Sequence, residues 1–289
     1  MKIAVLIPTY GRKALVERMV GQLAQQTRSP DLVVVSAPDE THVPPPQPTR
    51  FPVRVVFGPS GSSSQRNTAL EACAGQFDIL VFFDDDFLPA ADYLQRVEQA
   101  FRGVRKIAAL TGHVIADGAQ GPGISFEDGL QLLRSDALGP GQGRDLNRKI
   151  FAAYGCNMAV RTAAIGSRRF DERLPLYGWQ EDVDFTSRLD GDVMLLGALR
   201  GVHLGIKSGR VSGIRFGYSQ IVNPIYLIQK GTLPAARGIR LMARNVLANI
   251  TKSVWPESYI DRRGRLKGNL IAAAHALSGR VDPEHVLKL

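Results

Sequence analysis

Five short apolar runs, at 3–7, 32–35, 53–57, 79–83 and 107–110, mark the first part of the chain. Between the first two, Leu15, Val16, Met19, Val20 and Leu23 recur at helical spacing, and 66–74 and 91–101 give two more helical patterns. The runs are almost continuously apolar rather than alternating, as expected of strands covered on both faces. Strands alternating with helices predict an α/β domain built on a mostly parallel sheet flanked by helices. A second set of elements follows, with a strand pattern over 152–160, a helix over 181–189 and a strand over 193–198. Beyond Gly213 the sheet pattern stops, and 219–229 and 235–254 read as helices.

Breakers divide these elements. Segment 37–52 predicts a loop, because Pro44, Pro45, Pro46 and Pro48 have no amide to give to a ladder. The Gly-rich segment 117–143 predicts an insertion beside the sheet. The division expected is a catalytic domain over 1–212 and a helical region over 213–289.

At 289 residues and 44% hydrophobic, the chain can bury a substantial core. No window reaches the roughly twenty apolar residues of a spanning helix. The run at 3–7 ends at Pro8, too short for the apolar part of a signal peptide. Cys73 and Cys156 lie in apolar surroundings without pairing or metal spacing, as reduced core thiols would. A cytoplasmic protein is expected. The net charge of +9 is unevenly placed: residues 200–289 hold 15 Lys and Arg against 4 Asp and Glu, whereas the preceding 199 hold 21 against 23. A basic tail on an acidic domain implies an anionic partner, whether phospholipid, nucleic acid or a phosphorylated acceptor.

The chemistry concentrates at four places. Asp84, Asp85 and Asp86 directly follow the run 79–83, where a parallel strand delivers its end to the ligand crevice of an open sheet. Three carboxylates there repel unless a cation compensates, and oxygen donors suit Mg²⁺ or Mn²⁺; the plainer alternative is an acidic start to the next helix. Glu181 and Asp182 open a helical pattern beside Trp179, where a carboxylate can take a proton from a hydroxyl or merely cap. The segment from Gly61 to Asn67 offers backbone amides and Arg66 to an anion, or simply a turn and a cap. His203 follows the last strand and is either a core imidazole or a ligand brought back to the Asp cluster.

In this order, Ile7-Pro8-Thr9-Tyr10-Gly11-Arg12, Arg66-Asn67, Phe83-Asp84-Asp85-Asp86-Phe87-Leu88-Pro89, Gly155-Cys156-Asn157-Met158 and Gly178-Trp179-Gln180-Glu181-Asp182 resemble the inverting GT-A-fold glycosyltransferases of family 2. The resemblance covers about residues 1–205. It implies transfer of a sugar from a nucleotide-diphosphate donor to a hydroxyl of a glycan or lipid-linked acceptor, with Mn²⁺ or Mg²⁺ as cofactor. Pro8, Thr9 and Tyr10 would line the base pocket, with Arg12, Arg66 and Asp85 also on the donor side. Asp84 would lie nearer the ribose and Asp86 on the metal, with His203 completing its shell. Asp182 would deprotonate the acceptor, while Glu181, Trp179 and Asn157 would contact it or shape its pocket. The family often holds the base with acidic residues after the second strand; here the chain has Ser36, Ala37, Pro38 and Asp39, and Asp39 is the candidate substitute. A single base opposite the leaving group suits one in-line displacement.

In the tail, Ile239, Met242, Val246, Ile250 and Val254 fall on one helical face, with Arg237, Arg240, Arg244 and Lys252 broadly opposite. Such a helix suits an anionic membrane surface, placing the protein peripherally at the inner face of the membrane. It equally suits a helix packed on the catalytic domain with a solvated basic face. Two rival functions are a nucleotidyltransferase or phosphohydrolase using Asp84, Asp85 and Asp86, and a nucleic-acid-binding protein using the tail. The first has no need of Glu181 and Asp182; the second leaves the Asp cluster unexplained.

Overall fold

The computed structural model describes residues 1–136, 146–207 and 212–289. Residues 137–143 of the expected Gly-rich insertion therefore lie outside the described residues. Along the chain run β1 (Ile3–Pro8), α1 (Lys13–Leu23), β2 (Leu32–Ala37), β3 (Val53–Phe57), α2 (Ser62–Ala72), β4 (Ile79–Phe83), β5 (Phe87–Pro89) and α3 (Tyr93–Gly103). Then come β6 (Ile107–Asp117), α4 (Phe126–Ser135), β7 (Arg148–Lys149), β8 (Asn157–Arg161), α5 (Thr162–Ile165), α6 (Glu181–Ser187) and β9 (Asp192–His203). Three helices close the chain: α7 (Gly213–Lys230), α8 (Ala235–Lys252) and α9 (Arg262–Leu277).

One sheet of order β3-β2-β1-β4-β8-β6-β9-β5 runs through the protein, with β7 paired to β9. The side β3-β2-β1-β4 is parallel throughout, as the uninterrupted apolar runs of β1, β2 and β4 predict, while the edge strand β3, with Arg54, stays largely exposed. Beyond β4 the sheet is mixed, because β8 runs antiparallel to both β4 and β6 while β6 and β9 are parallel. The directions have one consequence for function: β1, β2, β4, β6 and β9 all deliver their C-terminal ends to the same edge.

The apolar runs are shared between two faces with the strand period of two. Ile3, Val5, Ile7, Val81 and Phe83 turn to the face covered by α1 and α3, against Met19, Leu23, Leu94 and Phe101. Ala4, Leu6, Leu80 and Phe82 turn to the other, against Ala69 and Leu70 of α2 and the stacked pair Phe170 and Phe185. Burying each such side chain contributes about 1.5–3 kcal/mol, so both faces hold the edge above them in place.

Helix α7 starts at Ser212, whose hydroxyl accepts the Arg215 N–H, and ends at Gly231 with φ 80°. It is fixed to the sheet domain by Tyr226, which donates to Asp171 at 2.7 Å, and by Lys230 between Asp171 and Asp184 at 2.6 and 2.9 Å. Helices α7 and α9 cross at glycines. A Cβ on Gly217 would stand 2.1 Å from the Arg265 carbonyl oxygen, and one on Gly268 2.1 Å from that of Ile214. These helical glycines, costly by propensity alone, permit backbone-to-backbone packing. In α8, Met242 and Val246 turn inward, whereas Ile239 and Ile250, and Val254 just past the helix end, stay exposed. The apolar arc is therefore wider than the surface its neighbours cover.

Candidate active site

The site assembles where the parallel strands end. After β4, Asp84 accepts from Arg66 at 2.7 Å. Asp85 accepts from the Thr9 hydroxyl and from Arg12, both at 2.7 Å. Asp86 accepts the Ile206 N–H at 2.9 Å and has the His203 Nε2 at 3.3 Å. Thr9 and Arg12 follow β1, the three aspartates follow β4 and His203 ends β9, so three separated segments meet because their strands point the same way. One oxygen each from Asp84 and Asp86 and one ring nitrogen of His203 lie within 4.8 Å of one another.

Behind His203 stand two residues the motifs did not single out. Asp117, at the end of β6, has an oxygen 2.9 Å from Nδ1, and Tyr154 donates to the other Asp117 oxygen at 3.2 Å. A carboxylate on Nδ1 turns Nε2 toward Asp86, as carboxylates do behind ligating histidines. Asp117 had a signal: like Asp84, it is the first carboxylate past a buried strand. Tyr154 had none.

Burial and charge divide the acids. Burial pushes the Asp85 carboxyl up, helped by Asp86 and opposed by Arg12 and Thr9. Burial would raise Asp86 as well, but the bond and charge of His203 outweigh it and hold Asp86 low. Burial would lower His203, yet its bonds to Asp117 and Asp86 lift the imidazole to about 10. A cation entering here must displace that proton, since only the neutral ring can ligate. The half-buried Asp84, the buried Asp86 and an imidazole form a donor set that fits a small divalent ion, with the oxygens favouring Mn²⁺ or Mg²⁺ and the nitrogen tipping toward Mn²⁺.

Arg66 connects this cluster to the second one. It is 2% exposed, and besides Asp84 it donates to the Gly155 carbonyl at 3.1 Å and pairs with Glu181. Glu181 is buried as well and accepts from the Ser62 hydroxyl at 3.2 Å. Asp182 accepts the Gly155 N–H at 2.7 Å and the Val183 N–H at 2.8 Å. Burial raises its pKa above the usual carboxylate value, against Gly155 and Arg66, which makes it a better base. Leu176 and Gln180 are the two non-glycine residues with positive φ among the described residues, at 60° and 76°. With Gly178 at 62°, they coil the chain tightly before α6 and turn both acids inward.

The remaining candidates divide. Tyr10 is half exposed and stacks on His42 at 4.4 Å beside Pro8, while His42 also accepts the Gly11 N–H at 2.9 Å. Asp39 caps the turn 40–42, and the bonds it accepts from the Thr41 hydroxyl and then the Thr41 N–H, the latter at 2.8 Å, hold its pKa low. Trp179 packs edge-on against Phe216 of α7, with ring centres 5.9 Å apart. Asn157 requires a correction. It is fully buried, and its Oδ1 accepts from the Thr111 hydroxyl and the Gly112 N–H, both at 2.7 Å. Its amide ties β8 to β6 inside the sheet rather than lying at a surface.

The family model described as "Glycosyl transferase family 2" matches residues 4–168, more than half of the chain. The chain belongs to glycosyl transferase family 2. Within the family, it is similar to an uncharacterized glycosyltransferase of Haemophilus influenzae, 33% identical over 104 residues. That match spans 34% of this chain and only about a third, 35%, of the relative. Among solved structures it resembles S. aureus TarS 1–349 in complex with UDP, with a TM-score of 0.56 at 14% identity, covering 100% of this chain and 90% of that one. Against a longer TarS chain it covers 44%. It also resembles the mannosyltransferase PcManGT of Pyrobaculum calidifontis in complex with GDP-Man and Mn²⁺, with a TM-score of 0.51 at 16% identity, covering 99% of this chain and 78% of that one. At these identities the structural likeness establishes the GT-A fold of this family 2 member.

Proposed function

We propose that this protein transfers a sugar from a nucleotide-diphosphate sugar to an acceptor hydroxyl with inversion, using Mn²⁺ or Mg²⁺, with Mn²⁺ preferred. We place it in cell-surface polysaccharide or glycolipid synthesis, peripheral to the inner face of the membrane, with 1–212 as the catalytic domain. The observation that carries the reading is the bridge made by Arg66. It touches Asp84 on the donor side at 2.7 Å and pairs with Glu181 beside Asp182, so the two clusters adjoin. The nucleotide complexes of TarS and PcManGT support a nucleotide-sugar donor.

In this scheme Tyr10 and His42 present a flat aromatic wall to the nucleobase at the end of β1. Asp86, His203 and Asp84 would hold the cation, which when bound supplies positive charge for the diphosphate that leaves. Arg12, on Asp85, adds a fixed guanidinium at the same edge. Asp182 accepts the acceptor proton, its raised pKa bringing it nearer working pH. Glu181, held by Arg66 and Ser62, positions Asp182 rather than sharing the proton. No second carboxylate is placed as a covalent nucleophile among the described site residues, which favours one displacement.

The test is an assay of radiolabelled UDP- and GDP-sugars with Mn²⁺ against a chelator, followed by NMR of the product. Metal-dependent transfer with opposite anomeric configuration is expected. Transfer with retained configuration, or nucleotidyl transfer instead, would overturn the reading.

A further inference from the structure

We infer that the outer face of α8 and the turn after it form a docking surface for an anionic lipid membrane. This deepens the peripheral location proposed above, on which it rests, by naming the surface. Ile239, Leu247, Ile250 and Val254 are 60%, 62%, 49% and 60% exposed, and Trp255 is 87% exposed. At 100° per residue the three helical positions, Ile239, Leu247 and Ile250, fall within an arc of about 80°, an apolar stripe that Val254 and Trp255 extend past the helix end. The face does not result from a loosely held helix. Met242 and Val246 pack inward, and Asn249 is fully buried, donating to Gln220 and Asn269 at 2.8 and 2.9 Å.

The charges around the stripe choose the occupant. Arg240 and Arg244 are exposed along its flank, and Arg263 donates to the Ser253 carbonyl at 3.1 Å, beside the turn that carries Trp255. Helix α8 contains no Asp or Glu. The next acid along the chain, Glu257, is already held by Lys252 and Arg262 at 2.6 and 2.9 Å. A second copy of the chain would bring the same arginines against each other, whereas anionic headgroups complement them. A tryptophan at the end of an apolar stripe suits the headgroup boundary. With four basic residues among eighteen, α8 lies on a membrane rather than in it, and no described helix is long and apolar enough to cross one.

The surface also adjoins the cleft. Four residues past Trp255, Tyr259 faces the Lys207 ammonium at 5.7 Å. Lys207 donates to the Gly118 carbonyl at 2.9 Å, next to Asp117, and its neighbour Ile206 donates to Asp86. A membrane against α8 therefore meets the protein beside the mouth of the site, where a lipid-linked acceptor would arrive.

The experiment uses the full chain with vesicles of phosphatidylcholine mixed with phosphatidylglycerol, against pure phosphatidylcholine, at low salt. Two variants on exposed positions are compared, Arg240→Gln/Arg244→Gln and Leu247→Ser/Val254→Ser/Trp255→Ser. Wild type should sediment with the anionic vesicles only, and loss of two basic residues should weaken partitioning by about 25-fold, roughly fivefold each. The apolar variant should also lose binding, and the wild-type Trp emission should shift blue on vesicles. No vesicle binding by wild type, or binding unchanged in both variants, overturns the inference. So does a wild-type dimer that the apolar variant converts to monomer, which would assign the stripe to a second copy. Thermal stabilisation by UDP or GDP with Mn²⁺, measured in the same samples without vesicles, separates the two readings. If it persists while vesicle binding is absent, only the docking surface falls.

Discussion

Arg66→Met removes the guanidinium that joins the two halves of the site. The residue is 2% exposed, and its carboxylate partners differ: the Asp84 side chain is 26% exposed and the Glu181 side chain 7%. Water can screen Asp84 once the arginine is gone, so that bond contributes little. Glu181 has no such relief. Removing one partner of a buried pair leaves an uncompensated charge and costs about 3–5 kcal/mol. Chemical denaturation of Arg66→Met, Glu181→Gln and the double variant reads this directly. The single Arg66→Met should cost about 3 kcal/mol or more, and the double variant should recover much of it, giving a coupling energy on the order of 2 kcal/mol. A cost below about 1 kcal/mol, or costs that simply add, would refute the buried pair as the tie between the clusters.

Three further outcomes follow from the geometry. Asp182→Asn should lower turnover by about 10²- to 10⁴-fold with donor affinity by calorimetry unchanged; near-normal turnover together with an inactive Glu181→Gln would move the base to Glu181. Gly217→Ala should destabilise by about 1–3 kcal/mol in urea, despite the better helix propensity of alanine, because its Cβ meets the Arg265 carbonyl; a gain in stability would show that α7 and α9 do not pack this closely. Burial would raise the Asp171 pKa, but bonds from Lys230 and Tyr226 outweigh it and hold it low. Its contribution is then present above the unfolded value of about 3.9 and lost as pH falls below it. The stability gap between wild type and Asp171→Asn should stay constant from neutral pH to about 5 and close in acid, and a gap that widens in acid would reverse the assignment.

How much of this was legible in the sequence depends on the range of the interactions. All five apolar runs became strands, and the parallel side of the sheet followed from their lack of alternation. Strand β5 was not, since Phe87, Leu88 and Pro89 are three residues defined only by pairing with β9. The antiparallel course of β8 was hidden for the same reason: its apolar pattern is that of any buried strand, and only its neighbours fix its direction. Helix α9 escaped because its faces are set by glycine contacts with α7 rather than by an apolar stripe. In the site, the Asp cluster, Arg66, His203 and the acids at 181 and 182 were visible as local motifs. Asp117 carried only the weak signal of a first carboxylate after an apolar run, and Tyr154, which donates to it, was invisible without the fold. Asn157 misled because a short polar motif beside a strand looks the same whether its amide faces the cleft or closes a ladder. In α8 the apolar arc was seen, but which part of it the core would use was not.

In the proposed mechanism the donor site depends on a divalent ion held by Asp86. Thermal unfolding of wild type and Asp86→Ala with saturating UDP or GDP, in Mn²⁺ and in chelator, tests it most directly. At about 100 times the dissociation constant a ligand adds about 2.7 kcal/mol to the folded state. Wild type should show a shift of that order in Mn²⁺ and little in chelator, and Asp86→Ala should show only the small shift under both conditions. Equal stabilisation of wild type in Mn²⁺ and chelator, or an Mn²⁺-dependent shift that survives in Asp86→Ala, would contradict it.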